Sequence, residues 1–192
     1  MKTVGGLYEF EGVERVHLMG IGGVGMSALA FLLSGMGFKV SGCDLAQGDF
    51  LSKLERSGIV CELGHSADHV EKFLPQLLIS SSAVDPNHEE LIAARAKGIC
   101  TIGRGLALSR LFNVAHGIGV AGTHGKTTTS SMIALILERG GLFPTFAIGA
   151  EVTDLGAGAR LGDSDLFVAE IDESDGSFEF FKPALTAVTN VD

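Results

Sequence analysis

Lys126 and Thr127 stand near the end of the run Gly119-Val-Ala-Gly-Thr-His-Gly-Lys-Thr-Thr-Thr129. Glycines followed by one lysine and a row of hydroxyls suit a single task, holding a nucleoside triphosphate. A glycine-rich turn between strand and helix lets backbone N–H groups converge on an anion, and the helix N-terminus adds partial positive charge. The lysine would reach the terminal phosphates, and the Thr127 hydroxyl would sit on a Mg²⁺ ion. The loop is a shortened form, because Val120 stands five positions before Gly125 where the usual pattern has glycine. The expected nucleotide-binding set is therefore Gly122, Thr123, His124, Gly125, Lys126, Thr127 and Thr128. Further on, the apolar run Leu166 to Ala169 delivers Glu170-Ile-Asp172-Glu173-Ser-Asp175. Mg²⁺ takes one or two carboxylates together with waters and phosphate oxygens. Glu170 ends the apolar run, so it is the expected metal partner of Thr127 and, with Lys126, the expected catalytic pair.

A second glycine loop lies near the start of the chain. Val16 to Met19 reads as a strand and runs into Gly20-Ile-Gly22-Gly23-Val-Gly25, followed by the helical run Met26 to Met36. A second strand, Phe38 to Gly42, leads to Asp44. Gly-x-Gly-x-x-Gly between strand and helix, with an acid about 20 residues on, is the pattern of a dinucleotide-type βαβ unit. Gly20, Ile21, Gly22, Gly23, Val24, Gly25, Met26 and Asp44 are the residues expected around a bound diphosphate.

The elements that carry these loops alternate along the chain. Helices are expected over 51–57, 67–73, 87–97, 105–112 and 128–139, and strands over 59–62, 77–80, 99–102, 117–121 and 166–169. Strands alternating with helices predict mostly parallel sheet covered on both faces, with ligands at the carboxyl ends of the strands. The expected organisation is α/β: a Rossmann-like domain over 1–113, then the start of a P-loop-type nucleotide-binding domain over 114–192. The second domain reads as a sheet of few strands, with the chain ending directly after one of them. The sequence thus reads as an N-terminal fragment, expected not to turn over alone.

Composition narrows the class further. The 192 residues are 46% hydrophobic with 27 glycines, enough for a good core and many tight turns. A net charge of −9 with no Lys/Arg cluster excludes a nucleic-acid-binding face. No signal peptide or membrane-length apolar run appears, so a soluble, cytoplasmic protein is expected. Cys43, Cys61 and Cys100 are spaced unlike metal ligands and read as small buried hydrophobes in a reducing compartment. His17 reads as a packed residue of its strand. His65 and His69, four apart, could share a helical face, with no third ligand evident for zinc.

Taken together, Gly-Ile-Gly-Gly-Val-Gly-Met-Ser27, Gly-Thr-His-Gly-Lys-Thr-Thr-Thr129 and Glu170-Ile-Asp-Glu-Ser-Asp-Gly-Ser-Phe178 resemble the Mur ligase family of peptidoglycan synthesis. The resemblance runs from about Val16 to Asp192, with Ser81-Ser82-Ala-Val84 and Asn190-Val-Asp192 in register, which adds Ser82 to the substrate-binding set. Two departures stand out: Cys43 where the family often has serine, and Ile171 where it often has alanine. The run Asp172 to Phe178 favours the alanine-adding branch over the branch that recycles murein peptide. The resemblance implies ATP and Mg²⁺ on the second loop and the diphosphate of UDP-N-acetylmuramate on the first. It also implies L-alanine as the amine that opens an acyl phosphate. Neither nucleic acid nor membrane is an expected partner. Two other readings rest on the residues alone. An NAD-dependent Rossmann oxidoreductase explains Gly20–Gly25 and Asp44 but leaves Lys126, Thr127 and Glu170 without a role. A non-catalytic nucleotide-binding module is the third.

Overall fold

The computed structural model describes residues 10–172 and 176–191. The chain divides into two compact units between Arg104 and Gly105. The sequence put the change nine residues later, at Asn113. The helix between those points explains the difference, since its last turn packs forward: the Phe112 ring lies 5.5 Å from Phe167 and 5.3 Å from Phe181.

The first unit alternates strictly: β1 (Arg15–Met19), α1 (Val24–Gly35), β2 (Lys39–Asp44), α2 (Asp49–Arg56), β3 (Val60–Leu63), α3 (Asp68–Phe73), β4 (Leu77–Ser80), α4 (Glu89–Ala96) and β5 (Cys100–Gly103). Its sheet runs β3-β2-β1-β4-β5, with every neighbouring pair parallel. Strand order reverses direction at β1, so the ends of β1 and β4 flank a topological switch point, where ligands bind in such sheets. Helices α1, α2 and α4 all stop the same way. Gly37, Gly58 and Gly98 have positive φ, and the residue after each donates its N–H back to Leu33, Leu54 and Ala94 respectively. That 6→1 bond satisfies an end carbonyl and turns the chain into the next strand. On one face of the sheet the core is apolar, with Val16, Leu18, Leu29, Leu33, Leu77 and Ile79 at 1% exposure or less. Burying such side chains, each at about 1.5–3 kcal/mol, is the main force holding this sheet to its helices.

The second unit contains α5 (Arg104–Asn113, apart from its first residue), β6 (His116–Ala121), α6 (Lys126–Arg139), β7 (Thr145–Val152), β8 (Ala157–Arg160), β9 (Leu166–Glu170) and β10 (Leu185–Val188). Its sheet order is β10-β6-β9-β7-β8, parallel except for the antiparallel edge pair β7–β8. Five strands correct the expectation of few. A final strand, here β10, was expected at the chain's end without bounds, while β7, interrupted by Gly149, and β8, a four-residue edge strand, were not foreseen. Glycine spacing sets how closely α5 approaches this sheet. A Cβ on Gly117 would stand 2.3 Å from Phe112 Cε1 and Cζ, and Phe112 is fully buried with nowhere to move. Gly117→Ala is therefore expected to destabilise this unit by about 1–3 kcal/mol, the cost of overpacking a filled core. A denaturant melt checks it; an unchanged midpoint would show that α5 can shift. Among the described residues, no helix is long and apolar enough to cross a membrane.

Candidate functional site

In the first unit the glycine loop joins β1 to α1 at the switch point. Gly20 has φ +79° and donates its N–H to Cys43 O at 2.8 Å, while Ile21 N–H reaches the same carbonyl at 3.1 Å. Gly22 N–H donates to Asp44 Oδ2 at 2.8 Å, and Gly23 N–H to Gly20 O at 3.2 Å. The loop's own N–H groups are thus used in shaping it. The N–H groups of Val24, Gly25 and Met26 head the helix, where no preceding helical carbonyl can accept them. Those are the donors an anion would meet. Ile21 and Met26 are buried, so their side chains belong to the core and only their backbone faces the loop. Ser82 is exposed in the turn after β4, whereas Ser81 packs against the loop: a Cβ on Gly20 would meet Ser81 Cβ at 2.9 Å. Sequence reasoning missed Arg104. Its guanidinium Nη1 lies 2.9 Å from where a Gly25 Cβ would stand, which puts a permanent cation beside the first turn of α1.

The second loop joins β6 to α6. Gly122 and Gly125 have φ +126° and +82°, and α6 starts at Lys126. Lys126 Nζ donates to Gly122 O at 2.6 Å, so the side chain folds over its own loop. The loop is held from the end of β10. Thr189 Oγ1 donates to His124 O at 2.5 Å and lies 3.2 Å from Ala121 O, while Asn190 Oδ1 accepts His124 N–H at 3.0 Å. A Cβ on Gly122 would fall 2.2 Å from Thr189 Oγ1, so this clamp requires glycine there. Thr189 is a positioning residue that sequence reasoning did not single out, since it is 65 residues from His124. Thr189→Val removes the donor but keeps the shape. Losing the hydrogen bond that fixes the His124 carbonyl costs about 0.5–1.5 kcal/mol, so affinity of the loop for a nucleoside triphosphate is expected to fall by up to roughly 10-fold, with a stability loss no larger than that cost. Equal affinity in calorimetry would show that the loop needs no clamp.

Glu170 ends β9, opposite Val120 of β6 in the register. Its Oε1 accepts the Ser130 hydroxyl at 3.1 Å, and that hydroxyl also lies 3.1 Å from Thr127 O. The carboxylate is therefore tied to the N-terminal half of α6 through Ser130, whose hydroxyl also reaches the Thr127 carbonyl. A Cβ on Gly149 of β7 would meet Glu170 Oε2 at 2.6 Å, so a glycine keeps room for this acid. A hydroxyl, a carboxylate and an adjacent lysine are the hard-oxygen and charge groups that a Mg²⁺–phosphate complex takes. Thr127, Thr128, Ser131, Glu151 and Asp154 also line an open cleft of about 340 Å³. Asp172 is half-buried just beyond β9, and Glu173 and Asp175 lie outside the described residues.

Two α/β units, each with a glycine loop at a strand–helix junction, define a class of nucleotide-binding protein whose second loop is of the lysine–threonine type. The profile of the Mur ligase family, catalytic domain, matches residues 15–116; the chain belongs to that family. It is 46% identical over 180 residues to the UDP-N-acetylmuramate–L-alanine ligase of Geotalea daltonii, covering 94% of this chain and 39% of that protein. The ligase of the same name from Sorangium cellulosum is also 46% identical, with 38% of its length covered. Among solved structures, the UDP-N-acetylmuramate–alanine ligase of Thermotoga maritima superposes with a TM-score of 0.85 at 30% identity, over 92% of this chain and 41% of that one. The UDP-N-acetylmuramate:L-alanyl-γ-D-glutamyl-meso-diaminopimelate ligase of Neisseria meningitides gives 0.87 at 32%, over 93% and 61%. The chain thus spans about two-fifths of the length of the curated relatives it matches, 38–39%.

Proposed function

We propose that the chain belongs to a ligase that joins L-alanine to the carboxylate of UDP-N-acetylmuramate at the cost of ATP, in the cytoplasm, for peptidoglycan precursor synthesis. The observation that carries this reading is the pairing of two different phosphate loops on separate units. A lysine–threonine loop faces a strand-end glutamate in one, and a Gly-x-Gly-x-x-Gly loop at a switch point lies in the other. Identity of 46% to alanine-adding ligases favours that amine over a peptide.

In this account the first-turn N–H groups of Val24, Gly25 and Met26 hold the UDP diphosphate, with the Arg104 guanidinium beside them. Asp44 keeps Gly22 turned so that the backbone can be approached. The loop from Gly122 to Thr128 holds the triphosphate, and Lys126 Nζ moves from the Gly122 carbonyl to the terminal phosphate oxygens. Thr127 and Glu170 are the residues that would hold Mg²⁺. Bound there, Mg²⁺ would neutralise charge on the phosphate oxygens. The substrate carboxylate attacks the γ-phosphorus, forming an acyl phosphate as the bond to ADP breaks. The free amine of L-alanine then attacks the carbonyl carbon, the amide forms, phosphate leaves and the amine proton passes to solvent. A carboxylate alone is a poor acyl donor at neutral pH, so phosphorylation supplies the leaving group. Catalysis is mostly positioning and electrostatic stabilisation of spread-out phosphoryl charge. The test is ADP release by an enzyme of the relatives' full length that carries this segment. Release is expected to need both UDP-N-acetylmuramate and L-alanine. Release with a murein tripeptide in place of L-alanine would assign the peptide-recycling branch instead.

A further inference from the structure

The first unit buries a set of ionisable side chains that neither phosphate loop uses. His17 on β1, Cys43 on β2, His69 on α3 and Glu90 on α4 bring one ligand atom each to within 4.8 Å of one another. All four are buried, His17 at 1%, Cys43 and Glu90 at 0% and His69 at 7% exposure. His65, which by its spacing could share a helix face with His69, lies instead before α3, and its Nδ1 sits 2.9 Å from Cys43 Sγ. The three other donors, which spacing did not reveal, come from β1, β2 and α4. Cys43 is therefore not merely a small buried hydrophobe.

We propose that these four side chains form a closed, four-coordinate Zn²⁺ site, independent of the ligase reading. Tetrahedral bonds of about 2.0–2.3 Å separate donors by roughly 3.3–3.7 Å. Here His17 Nε2 lies 2.9 Å from Glu90 Oε1, His69 Nδ1 3.2 Å from Glu90 Oε2, and Cys43 Sγ 3.5 Å from that oxygen. Small side-chain rotations reach the metal distances. Nitrogen and thiolate donors with one carboxylate select Zn²⁺ over Mg²⁺ or Ca²⁺.

A second observation points to a ligand. His17 Nδ1 is satisfied by Ser41 Oγ at 2.9 Å, as the outer-shell partner of a metal-bound histidine usually is. Its Nε2 is close to Glu90 but misdirected. Among the described residues that buried nitrogen makes no aligned hydrogen bond. Charge also balances. A thiolate, a carboxylate and two neutral imidazoles carry two negative charges, which one Zn²⁺ neutralises, so the filled site buries no net charge. Without a cation, burial first and then the neighbouring Glu90 push the Cys43 thiol far up, which keeps its proton on. Zinc binding forms the Sγ–Zn bond and releases that proton to solvent, with no change of oxidation state. The site bears on the loop above it, because the Cys43 carbonyl accepts both Gly20 and Ile21 N–H. Zinc on Cys43 would pin the strand end that shapes the diphosphate loop.

Co²⁺ titration of the metal-stripped 192-residue chain tests this. One equivalent is expected to give thiolate-to-cobalt charge transfer and the intense visible bands of four-coordination, both erased by one equivalent of Zn²⁺. Cys43→Ser, with folding checked by circular dichroism, should lose the charge-transfer band and bind Zn²⁺ about 10-fold or more weakly. Cys61→Ser and Cys100→Ser should keep both signals. Absence of the band in the native chain would overturn the proposal, as would its loss in Cys61→Ser or Cys100→Ser or its persistence in a folded Cys43→Ser. The cluster would then be a hydrogen-bonded network around Glu90, whose carboxylate also accepts Ser66 N–H at 3.0 Å. The native spectrum decides even if Cys43→Ser fails to fold.

Discussion

Lys126→Ala is expected to lower ligase turnover by about 10²–10³-fold, the usual cost of losing one preorganised charge that acts on the transferring group, roughly 3 kcal/mol or more. The structure shows why the loss should be confined to catalysis. Lys126 packs on its own loop through the Gly122 carbonyl at 2.6 Å, is only half-buried, and starts a helix whose fold rests on other residues. Alanine is the strongest helix former, so α6 should keep its first turn. Affinity for UDP-N-acetylmuramate should stay within about twofold, since the two loops belong to separate compact units. Steady-state ADP release in a full-length enzyme carrying the substitution checks both halves. Undiminished turnover would remove Lys126 from the mechanism.

The second large effect is expected at Gly22. A Cβ there would stand 3.0 Å from Asp44 Oδ2 and 3.2 Å from Asp44 Cγ. The acid that orients the loop would have to give way, and the two γ-methyls of valine would fill the approach to the helix N-terminus. Gly22→Val is expected to weaken UDP-N-acetylmuramate binding by roughly 30- to 150-fold, or about 2–3 kcal/mol. ATP·Mg²⁺ binding at the other loop serves as the internal control. If both affinities fall together, the variant has unfolded. If neither falls, the first loop is only a packing turn.

Much of this architecture was legible in the sequence because the first unit uses local signals. β1 and β4 are mostly buried apolar residues, and α1, α2 and α4 each end at a glycine with positive φ, so periods and stops coincide along the chain. The second unit was harder. β7 has only the short buried run Phe146-Ala-Ile148 before Gly149, β8 is four residues with Gly158, and β10 exposes Leu185 and Val188, so their local signals are weak. Pairing in the sheet, not local preference, makes them strands. The same distinction holds at the sites. Both glycine loops and Lys126 announce themselves by spacing within ten residues. Thr189 and Asn190 act on the second loop only because β10 lies beside β6. Arg104 meets Gly25 only because β5 ends near the start of α1. The buried cluster is the extreme case, since its four donors come from four elements and share no spacing rule.

The ligand that the Gly20–Gly25 loop accepts separates a ligase from an oxidoreductase most directly. Calorimetric titration of the chain with UDP-N-acetylmuramate and, separately, with NAD compares the two chemistries on one surface. Saturable one-to-one binding of UDP-N-acetylmuramate is expected, weakened by Gly22→Val to the extent given above and nearly unaffected by Lys126→Ala, with no heat from NAD over the same concentrations. Tight binding of NAD without any response to UDP-N-acetylmuramate would contradict the ligase reading and assign the loop to an oxidoreductase.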